Sequence, residues 1–158
     1  MSKRFFFILL MVFVVGIISA TLFYMRIVDD HIPDNPCVST IDSGEFIGDD
    51  LKPYVFTGTV TFWLKQNKIS IFALIKEEGE SVVLRRDLLL DTISPISTGV
   101  IGTRVKQRYI YPTDTASDKR VLFSAKDEDI NLVFHRLRRG VYMVYVNDNW
   151  VMTCQEKV

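Results

Sequence analysis

The run from Phe5 to Met25, FFFILLMVFVVGIISATLFYM, contains no charged residue. As a helix it would extend about 31 Å at about 1.5 Å per residue. The hydrocarbon layer of a bilayer is about 30 Å thick. A helix can cross that layer because it satisfies its own backbone hydrogen bonds. The sequence therefore predicts a transmembrane helix over residues 5–25, with residues 1–4 as a cytoplasmic tail. A buried core helix is the plainer alternative, and an unbroken apolar run of this length weighs against it. A cleavable signal peptide is the sharper one, with Ser2-Lys3-Arg4 as its basic region and Ile18-Ser19-Ala20 as a poor cleavage site. The run continues through Leu22, Phe23, Tyr24 and Met25, which favours the anchor. Lys3 and Arg4 precede it, while Asp29, Asp30 and Asp34 follow with a single Arg26. Positive charge stays on the cytoplasmic side. The expected arrangement is a single pass through the inner (plasma) membrane, N-terminus inside and the rest of the chain outside.

Residues 26–36 read as a stalk, because Asp29, Asp30, His31, Pro33, Asp34 and Pro36 favour exposed, extended backbone. Residues 37–158 then make one domain of ordinary size. Over the 158 residues, 19 Lys plus Arg balance 19 Asp plus Glu, so no net field points to nucleic acid. The domain is rich in Phe, Tyr, Val and Ile, which excludes disorder for the whole. Its two cysteines, Cys37 and Cys154, lie near its two edges. In an oxidising compartment such a pair reads as one disulfide. Two free buried thiols are the alternative, and two cysteines without a His cluster make a poor structural zinc site.

Strand patterns dominate the domain. Residues 37–41 suggest a short strand and residues 42–53 a loop. Over 54–65, Tyr54, Phe56, Gly58, Val60, Phe62 and Leu64 share one face, with Thr57, Thr59 and Thr61 on the other. Gln66-Asn67 turns the chain into a strand over 68–77 carrying Ile69, Ile71, Ala73 and Ile75. Glu78-Gly79 turns it again. Residues 81–90 then place Val82, Leu84, Arg86, Leu88 and Leu90 together, completing an antiparallel meander. Arg86 interrupts this apolar face. Either the strand bulges there or leaves Arg86 at a wet rim, or the guanidinium lies in a barrel mouth and pairs with a carboxylate of the protein or of a ligand.

Residues 91–102 read as a loop and 103–111 as a strand in which Val105, Gln107, Tyr109 and Tyr111 alternate with Arg104, Lys106 and Arg108. Such a basic row is commonly a solvent face or a guard against edge pairing. After a polar loop over 112–119, residues 120–123 suggest a short strand. Residues 124–140 suggest a helix: Ser124 to Asp127 resembles a capping box, and Ile130, Val133, Phe134 and Leu137 form one stripe. His135 lies beside that stripe as a partly buried packing residue, and Gly140 ends the helix. A strand is the alternative here, since Ile130, Leu132 and Phe134 also alternate. Residues 141–146 and 150–155 close the domain as a hairpin.

No Walker-type loop, GxGxxG, CxxC or HExxH occurs. With His31 in the stalk and His135 alone, a nucleophile–His–acid set has little to draw on. The sequence offers no catalytic residue, no cofactor site and no metal site, and an enzyme is the weakest expectation. Phe56, Phe62, Arg86 and Tyr109 are the candidate lining of a ligand pocket.

The anchor, Cys37 soon after it, the FTGTVTF strand with its hairpin partners, the VVLRRDLLL strand and a last hairpin ending in Cys154 resemble the FidL-like family of bacterial membrane proteins. That resemblance implies kinship with ToxS and VtrC, small proteins that accompany a one-pass ToxR-type transcription regulator. It implies a mainly β (α+β) fold: a lipocalin-like antiparallel barrel in the periplasm, with one helix near its C-terminus. It further implies assembly with the regulator's periplasmic part and, in some pairs, an amphipathic ligand. No ligand residue transfers from a motif.

The expected function is therefore a sensory or stabilising partner of a membrane-bound transcription regulator, without direct nucleic-acid contact. Such a role requires a strand edge able to accept a partner strand. A stand-alone carrier of an apolar small molecule and an assembly factor of an envelope complex are the alternatives.

Overall fold

The computed structural model describes residues 10–22, 31–47, 52–77, 79–116, 127–148 and 150–157. The chain divides into two units, Met1–His31 and Ile32–Val158.

In the first unit, residues 10–22 form a helix in which every residue is exposed. Thr21 turns its hydroxyl onto its own helix, donating to the carbonyls of Ile17 and Ile18 at 3.0 and 2.9 Å. That leaves Ser19 as the polar side chain on an otherwise apolar, exposed helix surface. No helix among the described residues is long and apolar enough to cross a membrane. The rest of the expected span, residues 5–9 and 23–25, lies outside the described residues.

Among the described residues the second unit has nine antiparallel strands: β1 (Cys37–Ile47), β2 (Pro53–Trp63), β3 (Lys68–Glu77), β4 (Glu80–Leu90), β5 (Ser94–Ser97), β6 (Val100–Ile110), β7 (Asp129–Arg138), β8 (Val141–Val146) and β9 (Trp150–Glu156). β4 pairs with β6 and β1 with β9, so eight strands close in the order β1-β2-β3-β4-β6-β7-β8-β9. The short β5 continues from β4 along β6. The result is an up-and-down β-barrel. It is filled as small barrels are, by side chains alternating inward along each strand. Phe56, Phe62, Ile69, Ile71, Leu84, Leu88, Leu132 and Val144 are all buried.

The meander β2-β3-β4 matches the alternation in the sequence. Gly58 sits between Ile41 and Ala73 in the ladder. A Cβ there would collide with the Phe72 carbonyl and with Ala73 Cα. Its lack of a side chain lets β2 and β3 come together around the small Ala73. The turn after β2 is a 3₁₀ element, Leu64–Gln66, capped by Asn67 in the left-handed region at φ 48°.

Four expectations are corrected. β1 runs on to Ile47, because a bulge absorbs the loop-like residues: Ile41 pairs with Gly58 and Gly44 with Phe56, leaving one extra residue on β1. The loop expected over 91–102 contains β5 and the start of β6. The helix expected over 124–140 is instead β7 from Asp129 onward: Ile130, Leu132 and Phe134 are buried, whereas Leu137 is 54% exposed. Strand pairing with β6 and β8 decided between two periodicities that the local sequence carries equally. His135 is accordingly exposed, edge-on to Tyr145 at 5.6 Å. Residues 120–123 lie outside the described residues.

The fourth correction concerns β6. Leu89 pairs with Gln107 but Leu90 with Val105, so Lys106 is an extra residue. Side chains alternate with a period of two, and a one-residue bulge exchanges the faces beyond it. Val105 is buried, but past the bulge Arg108 stands opposite buried Leu88, and Tyr109 opposite Asp87 on the outer wall.

Candidate functional site

Phe56, Phe62 and Arg86 lie inside the barrel, while Tyr109 lies outside and is 52% exposed. They do not line a common pocket. Phe56 and Phe62 belong to the aromatic packing: Phe46 meets Phe56 edge-on at 5.9 Å, and Phe62 meets Phe134 at 6.0 Å. Tyr109 packs edge-on against Tyr111 at 4.8 Å. There the Tyr111 hydroxyl donates to Asp87 Oδ2 at 3.2 Å, and the Arg85 guanidinium lies 4.5 Å over the Tyr111 ring. The Asp87 charge, and the hydrogen bond to it, raise the Tyr111 hydroxyl above the usual phenol range.

Arg86 stands in the ladder between Ile71 and Ile110 with no bulge at its position. Its wet-rim reading is overturned, since Arg86 is 1% exposed. The carboxylate it meets comes from the protein. Nε and Nη2 donate to Asp114 Oδ2 and Oδ1 at 2.8 and 3.1 Å, and Nη2 also donates to the Ala116 carbonyl at 2.8 Å. Two side-by-side bonds of this kind fix both position and orientation. Asp114 also accepts from the backbone N–H groups of Arg85 and Ala116 at 2.9 and 3.1 Å. Burial works to raise the Asp114 carboxyl. The Arg86 hydrogen bonds, the backbone N–H groups and the guanidinium charge outweigh it and hold the carboxyl below its ordinary range. Thr115 Oγ1 accepts from the Val83 N–H, and the Thr115 N–H donates to the Val83 carbonyl. The segment from Tyr111 to Ala116 thus binds along β4 beyond the end of β6. The ion pair locks a loop onto the barrel wall.

The cysteines meet as expected. Cys37 and Cys154 form a disulfide across the β1–β9 seam, with Cα atoms 5.4 Å apart and a sequence separation of 117. The same end of the seam is clamped by polar contacts. The Asp34 and Asn35 N–H groups both donate to Glu156 Oε1, at 2.7 and 3.0 Å. The Lys157 N–H donates to the Pro36 carbonyl at 2.9 Å.

Beyond the clamp, the seam is short. Among the described residues, only Cys37–Glu156 and Val38–Gln155 pair across it. β1 continues to Ile47 beside β2, paired to it except at the Asp42–Ser43 bulge, and β9 is held by β8. Nothing in the local patterning of β1 or β9 marks where their ladder stops, because the stop is a property of two strands far apart in sequence.

An open groove of about 590 Å³ lies beside β5, where Arg104 Nε donates to Asp129 Oδ1 at 2.8 Å. That contact raises the Arg104 guanidinium and lowers the Asp129 carboxyl relative to their ordinary values. Both side chains are more than half exposed, so the pair is a surface contact of little energetic weight. Among the described residues no group of His, Cys, Asp and Glu is arranged to hold a metal ion.

No family model, curated protein or solved structure matches the chain.

Proposed function

We propose that the protein is a membrane-anchored sensory or stabilising partner of a membrane-bound transcription regulator of the ToxR type, with the barrel outside the cytoplasm. The observation that carries this reading is the pairing of two features in one chain. One is a helix whose large side chains, among them Phe13, Ile17 and Leu22, are all exposed and apolar. A helix apolar all round needs an apolar surrounding. The other is a barrel joined at its seam by a disulfide, a bond that persists in oxidising compartments. An anchor extending over residues 5–25, with Lys3 and Arg4 inside, would place the barrel in such a compartment. The resemblance to the FidL-like family supplies the regulator as partner, and a lipocalin-like role for the barrel.

The carrier alternative is less favoured, because Phe56, Phe62 and Phe134 occupy the interior that an amphipathic ligand would enter. In this reading a ligand acts by binding one state of the assembled pair more tightly and shifting its population.

In-membrane crosslinking of the tagged full-length protein, followed by mass spectrometry of the captured chains, tests the proposal. A one-pass regulator with a cytoplasmic winged-helix domain is the expected product. Capture of only the protein itself, or only of secretion or fimbrial components, would overturn the reading.

A further inference from the structure

The seam between β1 and β9 is unzipped over most of its length. After Val38, residues Ser39, Thr40, Ile41, Gly44 and Glu45 have ladder partners on β2, Asp42 and Ser43 form the bulge, and none of them pairs with β9. On the other side, Val151 to Cys154 pair with β8 and not with β1. Among the described residues, two strand edges therefore run on without ladder pairing to each other, in a barrel that is otherwise closed. Unmatched strand edges are templates for pairing with another chain.

The side chains along this edge specify what would fit. Ser39, Ile41 and Gly44 share the inward face of β1, opposite Val60, Gly58 and Phe56. Met152 and Cys154, on β9, are buried. The Ser39 hydroxyl is buried at the first position past the last pair, and its Oγ has no hydrogen-bond partner in the structure. On the outside, Thr40, Asp42 and Glu45 are exposed. A strand laid here would meet apolar neighbours with every second side chain and carboxylates with the others.

A second copy of the chain is a poor occupant. Antiparallel pairing of two β1 edges would bring Asp42 and Glu45 of both copies together, and like charges across a strand pair are destabilising. The bulge between Ile41 and Gly44 further interrupts any long self-pairing. These features reject a copy of the protein and leave a complementary chain acceptable.

We infer that the β1 edge from Ser39 to Glu45 is a strand-acceptor site, and that its occupant is an extended segment of another protein with apolar and basic side chains in alternation. This inference rests on the partner reading above and gives it a location and a chemistry. Main-chain hydrogen bonds would supply affinity, and the alternating side chains specificity.

Hydrogen exchange on the full-length protein in lipid nanodiscs tests it. The probe is a short synthetic peptide alternating valine and lysine, compared with one alternating valine and glutamate and with a valine–lysine peptide N-methylated at alternate positions. The free protein is expected to exchange the Ser39–Glu45 amides that point away from β2 faster than those of the β2–β3 ladder. The valine–lysine peptide alone should slow them. Asp42→Asn combined with Glu45→Gln should weaken its binding by about fivefold, while leaving the circular dichroism and the exchange of β3 unchanged. Protection before any peptide is added, protection that grows with protein concentration alone, or equal protection by all three peptides would each overturn the inference. In-membrane capture of a regulator would still stand after such a failure, since a partner could bind another wall of the barrel.

Discussion

Arg86 Nε donates to Asp114 Oδ2 at 2.8 Å inside the barrel wall, across 28 positions of chain. Both side chains are 1% exposed. Water therefore screens the pair little, and removing either side chain leaves the other's charge buried without its counter-ion.

Replacing Arg86 with Met should destabilise the domain by about 3–5 kcal/mol, because it strands the Asp114 carboxylate in the wall. Urea unfolding of the wild type and of Arg86→Met measures the difference. A midpoint unchanged within error would show that the pair carries no structural weight. A double-mutant cycle with Asp114→Asn should show strong coupling between the two positions.

The same pair sets an acid limit. The Asp114 carboxyl is held below its ordinary range in the fold, whereas in the unfolded chain it titrates near about 3.9. Its contribution is therefore complete above the unfolded value and is lost as pH falls through the lower, folded value. Melting temperatures recorded from neutral pH down through about pH 2 should fall more steeply for the wild type than for Asp114→Asn in the acid range. Parallel curves would contradict this.

Cys37→Ser and Cys154→Ser should each lower stability by about 4–5 kcal/mol on the chain-entropy account of so long a loop. The double substitution should cost no more than either single one, since one bond is lost in every case. Thermal melting of the oxidised wild type and the three variants decides it. Coincident transitions for all four would sink the prediction.

Phe62→Ala should cost about 3–5 kcal/mol, as an aromatic ring removed from a packed interior does. Tyr109→Ala should stay within about 0.5 kcal/mol, as exposed positions usually do. Comparable losses at the two sites would mean that Tyr109 is not on the outer wall.

At Gly58 an added methyl group would meet backbone atoms rather than a yielding side chain. Gly58→Ala should destabilise the domain by about 1–3 kcal/mol through overpacking. Chemical denaturation is again the measurement, and an unchanged midpoint would show that β2 and β3 can move apart freely.

The meander was legible because each of its strands repeats apolar residues at every second position with no competing period. At residues 130–137 two periods coexist, and only pairing with β6 and β8 chose between them. The inward turn of Arg86 was readable as one of two options. Its partner was not, because Asp114 lies in a stretch without periodicity. The expected grouping of Tyr109 with Phe56 and Phe62 failed for a more general reason. A bulge such as that at Lys106 leaves the alternation around it intact to the eye and exchanges the faces beyond it. The two cysteines were legible by number and position, whereas the early end of the β1–β9 ladder had no local signature at all.

The clamp at Glu156 has a consequence for rearranging the chain. It holds the start of the barrel unit, Asp34 and Asn35, against the residue one position before Lys157. Chain ends that lie side by side can be joined by a short linker, and new ends opened at an exposed turn. The β3–β4 connection at Gly79, with φ at +90° and open space around its Cα, is such a turn. A circularly permuted barrel would then begin with β4 and end with β3, so that the order in which the strands are made could be changed while the eight-stranded closure is kept.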